Sequence, residues 1–203
     1  MFAMYTTSNV SMKHSRQNKH SVTARSSLLL ASNLMNIFGF AMFLPLYGAY
    51  ILSLGQQPES GSFLWSVHTL VVGIMVLVFG RIEDRRSRYL PKALITGNVL
   101  QVLGTVGFLT MDTFIGFAAG LMVYSVGTAI LAPAWFSLFS LNLHKQHHAR
   151  GWSYSQGGGA LAGALGSAAG GVLFALTSYP GVFLAGLVMH TIGPGLAIKS
   201  VAK

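Results

Sequence analysis

Apolar residues in this chain gather in long runs instead of alternating. Six stretches, residues 27–54, 62–79, 91–111, 114–143, 152–177 and 182–198, are dominated by Leu, Val, Ile, Phe, Ala and Gly. Each is long enough to cross a bilayer core of ~30 Å as a helix rising ~1.5 Å per residue. A membrane β-barrel would need strands that alternate apolar and polar positions, and these runs do not. The pattern predicts an all-α polytopic membrane protein, with a six-helix transmembrane domain over residues 26–203. Pro45 is expected to kink the first span. The fourth stretch exceeds the core thickness, so it must tilt, bend at Pro133 or protrude, and protrusion into the cytosol is expected.

The polar connections between the runs are not equivalent. Residues 1–25 carry Lys13, Arg16, Lys19 and Arg25 with no acidic residue, and are expected to form a disordered basic tail in the cytosol. The connection Gly80–Lys92 carries Arg81, Arg85, Arg86, Arg88 and Lys92 beside Glu83 and Asp84. Lys145, Arg150, Lys199 and Lys203 fall in the connection after the fourth run and at the C-terminus. The alternate connections hold Glu59 and Asp112 and no Lys or Arg. Basic residues in short loops mark the cytoplasmic side. Both termini are therefore expected in the cytosol, with the protein in the cell (inner) membrane.

Composition sharpens this picture. The chain has 203 residues, of which 52% are hydrophobic and 8% charged. A soluble domain carries roughly 25% charged residues. The net charge of +9 could suggest nucleic acid. Its confinement to tails and connections argues against that partner. There is no cysteine, so neither a disulfide framework nor a thiolate metal site is available. No nucleophile triad, phosphate loop or paired carboxylates point to an enzyme, and no cofactor is expected. His144, His147 and His148 form a weak metal pattern without carboxylate or cysteine support, so a solvated loop is the plainer reading.

Polar side chains inside the runs are the candidate chemistry. Asn33 and Asn36 are three residues apart and share a helix face, with Phe40 near the same stripe. Amides in hydrocarbon need partners, so this face is expected to look inward, toward protein or a solute. Tyr124 is a further cavity candidate. His68 and His190 are lone intramembrane histidines, read as packing residues or as proton-linked groups. No run has Lys, Arg, Asp or Glu near its centre, so a carboxylate relay within the membrane is not expected. Gly163, Gly166, Gly170 and Gly171 stand at spacings that let membrane helices approach closely, and are expected to pack against another helix.

The sequence Gly80-Arg81-Ile82-Glu83-Asp84-Arg85-Arg86-Ser87-Arg88 resembles the loop between the second and third helices of the major facilitator superfamily of secondary transporters. Gly80, Asp84, Arg85 and Arg88 match that signature. Glu83 stands where a small residue is usual, and Ser87 where a second Gly is usual. The resemblance extends to Ala132–Leu141, similar to the family's fourth-helix exit, with Arg150-Gly151 following. Gly166-Ser167-Ala168-Ala169-Gly170-Gly171 is similar to the fifth-helix signature of antiporters, with Ser167 in place of Pro. Val123 stands where proton-coupled exporters carry an Arg four residues before a Gly, here Gly127.

The resemblance covers the N-terminal six-helix half of a transporter usually built from two. It implies movement of a small organic solute by alternating access, with the exporter-like fifth span favouring efflux. It also implies that Asp84 latches a gate against the second half and that Arg88 secures the loop on its own half. A second six-helix half, as a separate chain or a second copy, is the implied partner beside the bilayer and the solute. The alternative is a non-transporting membrane interaction subunit or a truncated remnant.

Overall fold

The computed structural model describes residues 23–143 and 148–201. Most of the expected basic tail, together with His144, Lys145, His147 and Lys203, lies outside the described residues. Among the described residues the chain is built of helices joined by short turns, with no strand. Helix α1 covers Ala24–Phe43 and continues through a 3-10 turn, Leu44–Leu46, into α2, Tyr47–Ser53. Thr23 starts α1 with a reciprocal cap. Its hydroxyl accepts from the Ser26 N–H at 3.2 Å, and the Ser26 hydroxyl accepts from the Thr23 N–H at 2.8 Å. Pro45 lies in the 3-10 turn, where its missing N–H interrupts the regular ladder.

Helix α3 covers Pro58–Arg85, α4 Leu90–Thr110 and α5 Phe114–Leu141. The connection read as a loop over Gly80–Lys92 is mostly helical. Helix α3 runs through its first half, and a 3-10 turn, Ser87–Tyr89, leads straight into α4. Charge excludes this segment from hydrocarbon, but nothing before Arg86 interrupts the helical hydrogen bonds. The break comes at Arg86, with φ −140° and ψ 54°. Pro91 then falls in the first turn of α4, where its absent N–H is not needed.

Helix α6 covers His148–Val201, 54 residues, and is interrupted at Ser178, with φ 60° and ψ −163°. The two arms run in opposite directions along α1. Before Ser178, Gly158, Gly166 and Gly170 meet Leu34, Phe38 and Met42 in that order. After it, Gly186 meets Gly39, and Gly193 meets Asn36 and Ser32. The chain therefore reverses between the arms. Gly181 permits the reversal, because a methyl group there would collide with the Thr177 side chain.

Five helical stretches among the described residues are long and apolar enough to cross a membrane, the hairpin of α6 counting once. Their outer faces suit lipid: Phe63, Leu70 and Leu77 on α3, and Leu161, Leu165 and Leu176 on α6, are exposed. Glycines bring the helices together. A Cβ at Gly97 of α4 would lie 2.7 Å from the Gly127 carbonyl oxygen of α5, and one at Gly104 would lie 2.8 Å from that of Gly120. These two pairs let α4 and α5 approach backbone to backbone.

The core has two apolar ends. One is aromatic, with Phe43, Tyr50, Phe108, Phe117 and Phe183 in mutual contact. The other, near the basic connection, is built from Leu29, Leu94, Leu131, Trp135 and Phe139. Trp135 fixes it to α1 by donating its indole N–H to the Leu29 carbonyl at 2.9 Å. Between these ends lies a polar layer.

A polar layer and candidate cavity

Polar side chains in an apolar bundle must find partners, and most in this layer do. The Asn36 amide donates to Asn98 Oδ1 at 2.9 Å, and Asn98 donates to the Leu94 carbonyl at 2.7 Å. His190 Nδ1 approaches Asn36 Oδ1 at 3.4 Å, which makes that nitrogen the protonated one. One chain of bonds thus joins α1, α4 and the second arm of α6.

A second pair joins α3 to α5. His68 Nδ1 lies 2.6 Å from Ser125 Oγ, and the Ser125 hydroxyl donates to the Leu121 carbonyl at 2.6 Å. A serine hydroxyl has one proton to give. His68 must therefore donate from Nδ1, leaving Nε2 as a free acceptor. A third pair is Gln101 Nε2, which donates to Thr128 Oγ1 at 3.0 Å. The Gln101 carbonyl oxygen is buried with no partner.

These groups border a cavity of about 600 Å³ to which α1, α3, α4, α5 and α6 all contribute. Asn33, Asn36, Phe40, His68 and Tyr124 all line it. The Phe40 and Tyr124 rings stack at 5.2 Å, forming a flat wall. No Asp, Glu, Lys or Arg lines it. His190 stands just behind the wall, 2% exposed, edge-on to Tyr124 at 5.5 Å. Such a surface can hold a molecule by aromatic contact and by a hydrogen bond to the His68 imidazole nitrogen that Ser125 leaves free. It has no fixed charge to offer.

Asn33 and Asn36 do different jobs despite sharing a face. Asn36 is buried and bonded, whereas Asn33 is half-buried at the cavity edge. Asn98, Gln101, Thr128, Trp135 and Gln156 also belong to the layer or its cavity and were not singled out from sequence. Asn98 and Gln101 repeat the three-residue spacing of Asn33 and Asn36, which is a signal that could have found them. Thr128, Trp135 and Gln156 give no such signal, since each is ordinary in its own helix.

The glycines divide in the same way. A methyl group at Gly166 or Gly170 would run into the carbonyl oxygens of Phe38 and Met42, so the first arm of α6 packs tightly on α1 there. Gly163 has only an ordinary contact with Ile37, at 3.9 Å, and Gly171 faces open space. Ser167, beside these glycines, donates to the Ala41 carbonyl at 3.2 Å.

The motif residues lie at the far end of α3. Gly80 approaches Pro133 of α5, with 3.9 Å left for a Cβ. Asp84, Arg85 and Arg88 are exposed. Arg88 donates to the Tyr89 hydroxyl at 3.1 Å, and its guanidinium lies 4.9 Å from the centre of that ring. Neither the cavity nor its polar layer touches this group.

A family model described as Major Facilitator Superfamily matches residues 29–199. No curated protein matches the chain.

Proposed function

The chain belongs to the Major Facilitator Superfamily, a family of membrane transporters, and from that premise we propose that it moves a small, uncharged, amphipathic organic solute through the cavity between its helices. The observation that carries this reading is the cavity itself. A cavity of about 600 Å³ lined mainly by apolar and aromatic side chains, with a few polar groups among them, is the form a small-molecule site takes. Six crossings are the arrangement we favour, because the reversal at Ser178 turns α6 into two antiparallel arms. On that count both termini lie in the cytosol, with the basic connection.

The cavity is only partly enclosed. Alternating access requires a second wall to rock against this one. We therefore assign the missing wall to a second six-helix unit, from another chain or another copy. The resemblance of Gly166–Gly171 to the antiporter signature of the fifth helix makes export the favoured direction. Exposed Asp84 is the residue available to latch the closed gate against that unit.

Reconstitution tests this reading. The full chain in liposomes loaded with fluorescent amphipathic dyes should speed their passage over empty liposomes. Gln101→Leu should cut that gain several-fold, since it removes a polar side chain that lines the cavity and breaks its bond to Thr128. Equal rates with and without protein would reject transport by this chain or by paired copies of it.

A further inference from the structure

A carboxyl group that nothing among the described residues answers lies at the end of α3. Glu83 is 5% exposed, and neither of its carboxyl oxygens has a hydrogen-bond partner. It borders a cleft of about 450 Å³ between the end of α3, the Ser87–Tyr89 turn and the end of α5. This cleft is separate from the solute cavity and shares only Phe136 with it.

The surroundings of Glu83 are sorted by charge. Helix α5 faces the cleft with Phe136, Ser137, Ser140 and Leu141, and α4 with Leu90, none of them titratable near neutrality. On its own helix and the following turn, Arg81, Arg85, Arg86 and Arg88 point outward, as does Lys92 on α4. Among the described residues, the one charged neighbour lining the cleft is Asp84, of the same sign. A buried carboxylate with no cation and no donor is strongly disfavoured, whereas a buried carboxylic acid is tolerable. The packed seam between α3 and α5 therefore requires the acid form.

We propose that Glu83 is a proton-binding site at this membrane edge, and that loss of its proton opens the seam between α3 and α5. The proton passes to the water outside the cleft, and the carboxylate follows it into water or toward the exposed arginines. Burial, reinforced by the adjacent Asp84, raises the Glu83 carboxyl from its ordinary 4.5 to about 7. The sign follows from that direction. Below 4.5 the acid form is present in both arrangements, and the seam suffers no penalty. As pH rises toward about 7 the open arrangement gives up its proton first, so the packed seam is progressively disfavoured. A helix end whose packing depends on a proton gives a transporter a proton-sensitive gate without any carboxylate in the membrane centre. This adds regulation to the transport reading, and its test needs no solute, so the two can fail separately.

The chain offers a direct measurement. It contains two glutamates, Glu59 and Glu83, and no cysteine. Full-length protein labelled with carbon-13 at the glutamate carboxyl, in lipid nanodiscs, should give two carboxyl resonances, and Glu59→Gln identifies the one belonging to Glu83. That resonance should titrate clearly above 4.5, toward about 7. Spin labels on Ile82→Cys and Leu141→Cys, which are 49% and 74% exposed, report the width of the seam. The distance should lengthen over the same pH interval and stay short at every pH in Glu83→Gln. A Glu83 resonance titrating at its ordinary value would overturn the proposal, as would a distance that ignores pH or moves equally in Glu83→Gln. If Glu83→Gln does not fold, the resonance and distance of the otherwise native chain still decide the matter.

Discussion

The polar layer at the centre of the bundle and the cleft at the end of α3 handle buried polarity in opposite ways. In the layer, side chains from different helices answer one another: Asn36 with Asn98 and His190, His68 with Ser125, Gln101 with Thr128. In the cleft, Glu83 is as deeply buried and is answered by nothing among the described residues. Each bond in the layer is modest, since hydrogen bonds between membrane helices average roughly 0.6 kcal/mol. Their arrangement is what matters. Paired groups fix helix positions, whereas an unpaired acid makes a position conditional on a proton. The layer is built to stay, and the cleft is built to change.

The sharpest way to break this contrast is to remove a partner from the layer. Asn36→Leu leaves Asn98 Oδ1 and the His190 N–H facing apolar surroundings. Unsatisfied buried groups cost about 1–3 kcal/mol, so a loss near 2 kcal/mol is expected in reversible unfolding from mixed micelles. Asn33→Leu, at the cavity edge, should change stability by under about 0.5 kcal/mol and affect solute binding instead. Equal losses in the two variants would erase the distinction between a bonded layer and a free cavity wall.

Much of the architecture was legible in the sequence because bilayer thickness and charge placement are strong constraints. The apolar runs mark the helices, and in the structure Asn33, Asn36, Phe40 and Tyr124 border one cavity, with His68, read from sequence as a packing or proton-linked residue, beside them. Less legible was which amide would be bonded and which free, because that depends on partners from distant helices, here Asn98 and His190. The Gly97–Gly127 and Gly104–Gly120 approaches were hidden for the same reason. Glu83 was the hardest to see. In a stretch with five basic residues it reads as one more solvated charge. Only the continuation of α3 through Arg85 turns it inward while Asp84 stays exposed.

A smaller effect sharpens the cleft side of the contrast. Asp84→Asn preserves shape and removes an exposed charge, so stability should move by less than about 0.5 kcal/mol. Removing the neighbouring negative charge should lower the pH at which Glu83 titrates, because Asp84 contributes to raising it. Transport by the assembled protein should fall if Asp84 also latches the gate. An unchanged Glu83 titration in this variant would remove Asp84 from the account.

The central claim is that the cavity opens alternately to the two sides of the membrane, and the absence of cysteine allows that to be measured without knowing the solute. Gln156 lines the cavity and is exposed within it. Gln156→Cys in the full chain, in right-side-out and inside-out vesicles of the expressing cells, can be treated with a membrane-impermeant maleimide. The account predicts labelling from both faces, with a pre-bound blocking reagent on one face protecting against the other. Labelling from one face only would contradict alternating access and leave a static membrane protein with a polar pocket.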